Sequence, residues 1–269
     1  MRKTFLMAGA ACIFMALASA GFAQDGNAMV KKMEAAYAGL RSYTQRTSAS
    51  GTVIIGKSKQ MRGMTAELHY QQPNKIFISV TSPQTGTIAA FTDGRDQTVY
   101  RSQLRIYTKQ AAPPSARGFI VNLAIYQIEA FMDPLFFIEG ETVDKYASSF
   151  VSRGVSKVNG QPCNLVVGQM KPATLKGAKS GTVSFWLDPA TNLIRKVQVE
   201  RKGMPVKFAV KGTKNGRAVT NMVTVPSDQI VSELVQEMQV NPPLNDSAFS
   251  YPIPKGSIEQ KPTALIRPK

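Results

Sequence analysis

Apolar side chains recur at every second position through most of the stretch 66–109. Leu68 and Tyr70 alternate with Glu67 and His69, Ile76, Ile78 and Val80 with Phe77 and Ser79, and Leu104 and Ile106 with Arg105 and Tyr107. A period of two marks a strand with one face against apolar material. Turn residues divide the stretch at Gln72-Pro73-Asn74, at 84–86 and at Asp93-Gly94-Arg95. The pattern therefore predicts strands at 66–71, 75–80, 87–92, 98–101 and 104–108.

On either side of this meander the pattern changes. Met29, Met33, Ala36, Tyr37 and Leu40 fall three and four residues apart, which predicts a helix over 27–40 with Asp25 or Asn27 as its cap. Residues 42–55 read as a long strand rich in Ser and Thr, turned by 56–60. Further strands are expected at 146–158, 163–170, 182–187, 193–199 and 218–225, with Asn159-Gly160 as a hairpin turn. Val206, Phe208 and Val210 alternate with Lys207 and Lys211. In 229–240, Ile230, Val231, Leu234, Val235 and Met238 have helical spacing. A short strand at 249–253 precedes a loose basic tail over 254–269. Ten or eleven strands with two helices, at this spacing, describe a mainly-β (α+β) chain built on one large antiparallel sheet, closed or half closed.

The segment 117–132 is long enough for a helix, but its apolar residues are not confined to one stripe. Phe119, Leu123 and Tyr126 point one way, Val121, Ile125, Ile128 and Met132 another, and Phe131 lies between. Such a helix needs cover on more than one side. It is read either as a core helix or as a lid across the open side of the sheet, extended by Leu135, Phe136, Phe137 and Ile138.

The first 23 residues add an address. Arg2 and Lys3 precede an apolar run ending in Gly21-Phe22-Ala23, the form of a secretory signal peptide cleaved after Ala23. The mature chain would hold one domain over 24–253 and the tail at 254–269. It would carry 31 basic and 17 acidic residues, a net charge of +14. A basic exported protein is drawn to anionic partners, here an anionic membrane surface or an acidic envelope protein. Nucleic acid fits the sign but not the address, and no aromatic–basic recognition pattern occurs. Cys163 is the one cysteine left after cleavage and reads as a small core hydrophobe.

Catalytic chemistry is sparse. His69 is the single histidine, read as a surface residue, so no metal site and no cofactor are expected. The run 176–181 lacks the spacing of a phosphate-binding loop. Glu139, Glu141 and Asp144 are the acids a hydrolase would have to use, and a non-enzymatic chain is the preferred reading.

Several segments in order carry a resemblance. They are Leu40-Arg41-Ser42-Tyr43, Pro73-Asn74-Lys75-Ile76-Phe77, Thr92-Asp93-Gly94-Arg95, Phe185-Trp186-Leu187-Asp188, Val240-Asn241-Pro242-Pro243-Leu244 and Pro254-Lys255-Gly256. Together they are similar to the LolA-like superfamily of periplasmic lipoprotein and lipid carriers, and within it to the DUF2092 group. The resemblance implies a half-open β-barrel with helices on its concave face and a cavity for acyl chains between them. It also implies a strand, not a helix, over 229–240. In the carrier branch an arginine before Pro-Asn holds the lid; here that lid-contact position is Gln72. The lipid or lipidated-protein cavity would be lined by Leu68, Ile76, Ile78, Ile88, Leu104, Ile106, Phe119, Leu123, Phe131 and Phe136. The related alternative is an envelope sensor that binds a membrane-protein partner.

Overall fold

Twelve strands form one sheet in the computed structural model, which describes residues 25–116, 118–119, 134–214 and 217–261. After α1 (Gly26–Ala38) come β1 (Ser42–Ile55), β2 (Ser58–Gln71), β3 (Lys75–Ser82), β4 (Gly86–Thr92), β5 (Asp96–Arg101) and β6 (Ile106–Ala111). Then follow α2 (Pro134–Ile138), β7 (Ala147–Val158), β8 (Gln161–Met170), β9 (Ser180–Leu187), β10 (Ile194–Lys214), β11 (Arg217–Val240) and β12 (Ile258–Gln260). The strand order is β12-β6-β5-β4-β3-β2-β1-β11-β10-β9-β8-β7. The sheet is antiparallel except where β12 runs parallel to β6, and it does not close. No helix among the described residues is long and apolar enough to cross a membrane.

One face carries the helices. Asp25 caps α1, its Oδ1 accepting from Asn27 N at 2.9 Å, and Met29, Val30, Met33 and Tyr37 are buried from it. Each of these contributes roughly 1.5–3 kcal/mol by leaving water. Tyr37 meets Tyr43 of β1 edge-on at 6.0 Å and Phe137 of α2 at 5.6 Å, and its hydroxyl accepts from Ile194 N of β10. At its other end α1 lies so close to β7 that a Cβ on Gly26 would sit 2.5 Å from the Phe150 carbonyl oxygen.

The opposite face of β2–β5 is covered as well, by the chain after β11. Phe249 is buried there, Tyr251 stacks on Tyr100 at 5.5 Å, and Lys75 pairs with Asp246 at 2.6 Å. This layer explains why Phe77, on the face away from Ile76, is buried too. It also corrects the reading of His69. The ring is half-buried against Phe77, with Nδ1 2.7 Å from the Ala248 carbonyl and Nε2 3.1 Å from Glu67.

Four boundaries differ from expectation. β2 begins at Ser58 because the ladder to β1 continues to Ile55↔Ser58, although residues 58–65 are exposed and show no alternation. β6 begins at Ile106, which leaves Leu104 in the preceding turn. The expected pairs of strands at 193–199 and 206–210, and at 218–225 and 229–240, are single strands β10 and β11. A bulge between Arg201 and Met204, with Pro205 opposite Pro226, carries the pair through where turns would be read. β11 confirms a strand over 229–240; its helical spacing arises because Ile230 and Leu234 on one face and Val231 and Val235 on the other are all at least partly covered. Finally, no strand forms at 249–253. Asp246–Phe249 is a 3-10 turn, and the last strand is β12, within the segment expected to be loose.

Asp188, in the β9–β10 turn, accepts two hydrogen bonds from Arg195. Cys163 is buried on β8, and burial pushes its thiol up. The close approach at Gly26 gives a stability test. Gly26→Val should cost about 2 kcal/mol in urea unfolding, because backbone must shift. Gly51→Ala, whose Cβ meets nothing within 4 Å, should leave the midpoint within about 0.5 kcal/mol of wild type.

Candidate functional site

Register assembles the apolar residues of the meander into a wall. Leu68 lies opposite Ile78, Tyr70 opposite Ile76, Ile78 opposite Ala90 and Val80 opposite Ile88. Arg101 faces Ile88 on one side and Ile106 on the other. Directly opposed residues share a sheet face, so Leu68, Ile76, Ile78, Ile88 and Ile106 stand on one surface, the one that carries the helices. The wall continues across β1, where Gln45 is opposite Leu68 and Ala49 opposite Met64, into β11, where Gly51 is opposite Val231.

Burial grades along this wall. At its base Tyr43, which meets Tyr37 of α1, and Tyr70, Ile76 and Thr92 are at most 2% exposed. Leu68 and Ile78 come next and are still buried. Beyond them Ala49, Gly51, Val53, Ala66, Val80, Ile88 and Val231 are half-buried, and Met64 is exposed. The space among Tyr37, Gln45, Pro134, Ile194, Val197, Glu233 and Val235 is about 10 Å³, room for one water and not for an acyl chain. The base is a packed core. The far half of the wall is only partly covered, and its apolar residues are interrupted by Arg101 between Ile88 and Ile106, by Arg62 opposite Gly51 and by Glu233 opposite Ala49.

This placement sorts the expected lining residues. Leu68, Ile76, Ile78 and Phe119 belong to the packed core. Ile88 and Ile106 lie on the half-buried part. Leu104 does not belong to the wall: it is 60% exposed in the β5–β6 turn. Leu123 and Phe131 lie outside the described residues, as does most of the expected lid at 117–132. Phe136 is in α2, with its side chain outside the description. Gln72 donates from Nε2 to the Leu40 carbonyl at 3.1 Å, and its backbone N–H to Arg41 O. It therefore ties the end of β2 to the exit of α1. Val53 and Val231 were not singled out, because Ser and Thr dilute the apolar signal of β1 and the helical spacing masks that of β11.

The base of the wall is polar only where it is paired. Tyr43 donates its hydroxyl proton to Gln45 at 2.6 Å, and Gln45 donates to Glu233 at 3.4 Å. Burial pushes the Tyr43 phenol well above its ordinary value, with Tyr37 adding to the shift. Burial, helped by the Glu139 carboxylate, raises Tyr70 to about 12. Both phenols are thus uncharged at neutral pH.

The three acids considered for hydrolysis have structural partners. Glu139 accepts from Ala116 N, buried Glu141 pairs with Lys145, and Asp144 accepts from Thr142. Among the described residues no group of three or more His, Cys, Asp or Glu side chains could hold a metal.

A family model described as "Predicted periplasmic protein (DUF2092)" matches residues 26–259. No curated protein matches the chain. Among solved structures the chain is similar to LprF from Mycobacterium bovis, at 9% identity and a TM-score of 0.46, over 84% of this chain and 96% of that one. It is similar to the Mycobacterium tuberculosis lipoprotein LppX at 10% identity and a TM-score of 0.44, over 81% and 96%. A LolA superfamily protein from Nitrosomonas europaea is similar at 8% identity and a TM-score of 0.31, over 84% and 98%.

The buried phenols set an alkaline limit on the fold. Their folded values lie above the ordinary 10, so their contribution is complete below about pH 10 and falls away as pH rises toward 12. Unfolding followed from pH 8 upward should show this loss, and Tyr70→Phe should flatten the alkaline limb relative to wild type.

Proposed function

The chain belongs to the DUF2092 family of periplasmic proteins, and we propose that it is a non-enzymatic carrier or binding protein for the acyl chains of a lipid or lipidated protein. The observation that carries this reading is the apolar wall continuing past its helical cover, from Val80 and Ile88 through Ala49–Val53 to Val231. The acyl chain would lie on this half-buried part, with the aromatic base as its floor. Each methylene removed from water is worth about 0.8 kcal/mol, so about ten of them supply roughly 8 kcal/mol. The site residues proposed are Val53, Val80, Ile88, Ile106 and Val231.

A second reading, an interaction module for a membrane-protein partner, is favoured by the outer edge of the sheet. Edge strand β7 exposes Val151 and Val155, at 49% and 69%, beside register breaks in its pairing with β8. Exposed apolar edges are pairing sites.

Native mass spectrometry of the protein purified from its host separates the two. The carrier reading expects co-purifying lipid masses and at least tenfold less lipid on Val53→Asp at unchanged fold. Ile78→Asp, at a buried core position, should instead unfold the chain. Ligand-free wild type, or lipid retained in full by Val53→Asp, contradicts the carrier and leaves the edge-binding module.

A further inference from the structure

The face of the sheet away from the wall holds a cleft of its own. Register puts Phe91 of β4 opposite Thr98 of β5 and Thr98 opposite Lys109 of β6, with Tyr100 opposite Tyr107 in the next row. Thr98 and Tyr100 alternate along β5 with Val99 and Arg101, and Arg101 belongs to the wall, so this row stands on the other face. Between this floor and Tyr251, Pro254 and Ser257 lies a space of about 550 Å³, a volume in the range of small-ligand sites.

The segment that closes the cleft is held at both ends. Before it, Phe249 is buried and Tyr251 stacks on Tyr100. After it, Arg105 donates from Nη2 to the Lys255 carbonyl at 2.8 Å, and Ile258 N donates to the Arg105 carbonyl at 2.9 Å where β12 joins β6. The cleft is therefore preformed, and a ligand entering it does not have to order the chain.

Three half-buried rings, Phe91, Tyr107 and Tyr251, give the cleft its apolar area. Its charge is paired: Lys109 meets Asp96 at 2.8 Å, and Tyr107 donates its hydroxyl proton to Glu259 at 3.1 Å. Asp96 takes one of the three N–H groups of Lys109, which leaves donors. Tyr107 and Ser257, whose Oγ donates to the Pro254 carbonyl at 2.8 Å, keep oxygen lone pairs that accept. An anion here would meet the carboxylates of Asp96 and Glu259 as well as Lys109, and a cation would meet Lys109 itself. An acyl chain would strip water from the ammonium and the hydroxyls without replacing it. A polyproline peptide would match the rings but has no N–H for the Tyr107 and Ser257 oxygens. A neutral sugar answers both demands, because each of its hydroxyls donates and accepts and its C–H faces lie against the negative faces of aromatic rings.

We infer that the cleft between β4–β6 and residues 251–257 binds a neutral saccharide. Phe91, Tyr107 and Tyr251 take its C–H faces, and Lys109 and Ser257 its hydroxyls. The cleft lies on the opposite face of the sheet from the wall, so the inference goes beyond the carrier reading and stands whether or not the wall holds a lipid.

Saturation-transfer difference NMR of the purified protein with cellobiose and with N,N′-diacetylchitobiose tests it. At least one of the two should bind saturably. Tyr107→Ser should weaken that binding about fivefold with circular dichroism unchanged, while Tyr107→Phe, which keeps the ring, should stay within about twofold of wild type. Lys109→Met, at an exposed position, should also weaken it about fivefold. Saturable binding of neither disaccharide overturns the proposal, and so does binding that neither Tyr107→Ser nor Lys109→Met changes. Binding of a decaproline peptide with no response to either disaccharide overturns it too, and would make the cleft a peptide groove.

Discussion

Tyr37 sets the limits of everything else in this molecule. It projects from α1 into the angle between Tyr43, Phe137 and the β10 backbone, and with those rings it closes the base of the helix-bearing face. A sheet of twelve strands has to bury one apolar face against something. At the base the protein buries it against its own aromatic side chains. Where that aromatic cover ends, the same alternation of apolar residues runs on, half-covered, toward the hairpin tips. The packed floor includes Tyr37 of α1 and Phe137 of α2, and the strands keep the same alternation on either side of its limit.

The second face shows the same physics with a different solution. The segment after β11 folds back over β2–β5, seating Phe249 and stacking Tyr251 on Tyr100. Strands near that edge are thus sandwiched, and His69 is fixed by a carbonyl and a carboxylate in the process. In the projecting ribbon of β10 and β11, Lys207, Phe208, Ala209 and residues 220–224 are exposed.

The meander was legible in the sequence because Leu68, Ile76 and Ile78 alternate cleanly and Gly86 and Gly94 sit in turns where φ is positive. Direction of burial along the wall was not legible. Alternation says which face is apolar, but not whether a helix lies on it, so Ile76 and Ile88 read alike and are covered differently. Leu104 misled because one apolar residue in a turn mimics the end of a strand. The long β10–β11 pair was hidden by Gly203, Pro205 and Pro226, ordinary breakers that here sit at a bulge and opposite each other. Burial on both faces of β11 erased its period of two, and there the family resemblance succeeded where spacing pointed to a helix.

A spin-labelled fatty acid added to methyl-labelled protein reads the wall directly. A packed base and an open far half predict that paramagnetic broadening reaches the methyls of Val53, Val80, Ile88 and Val231 and leaves Ile76 and Ile78 sharp. Broadening centred on Ile76 and Ile78, or none anywhere on this face at saturating fatty acid, would contradict the account.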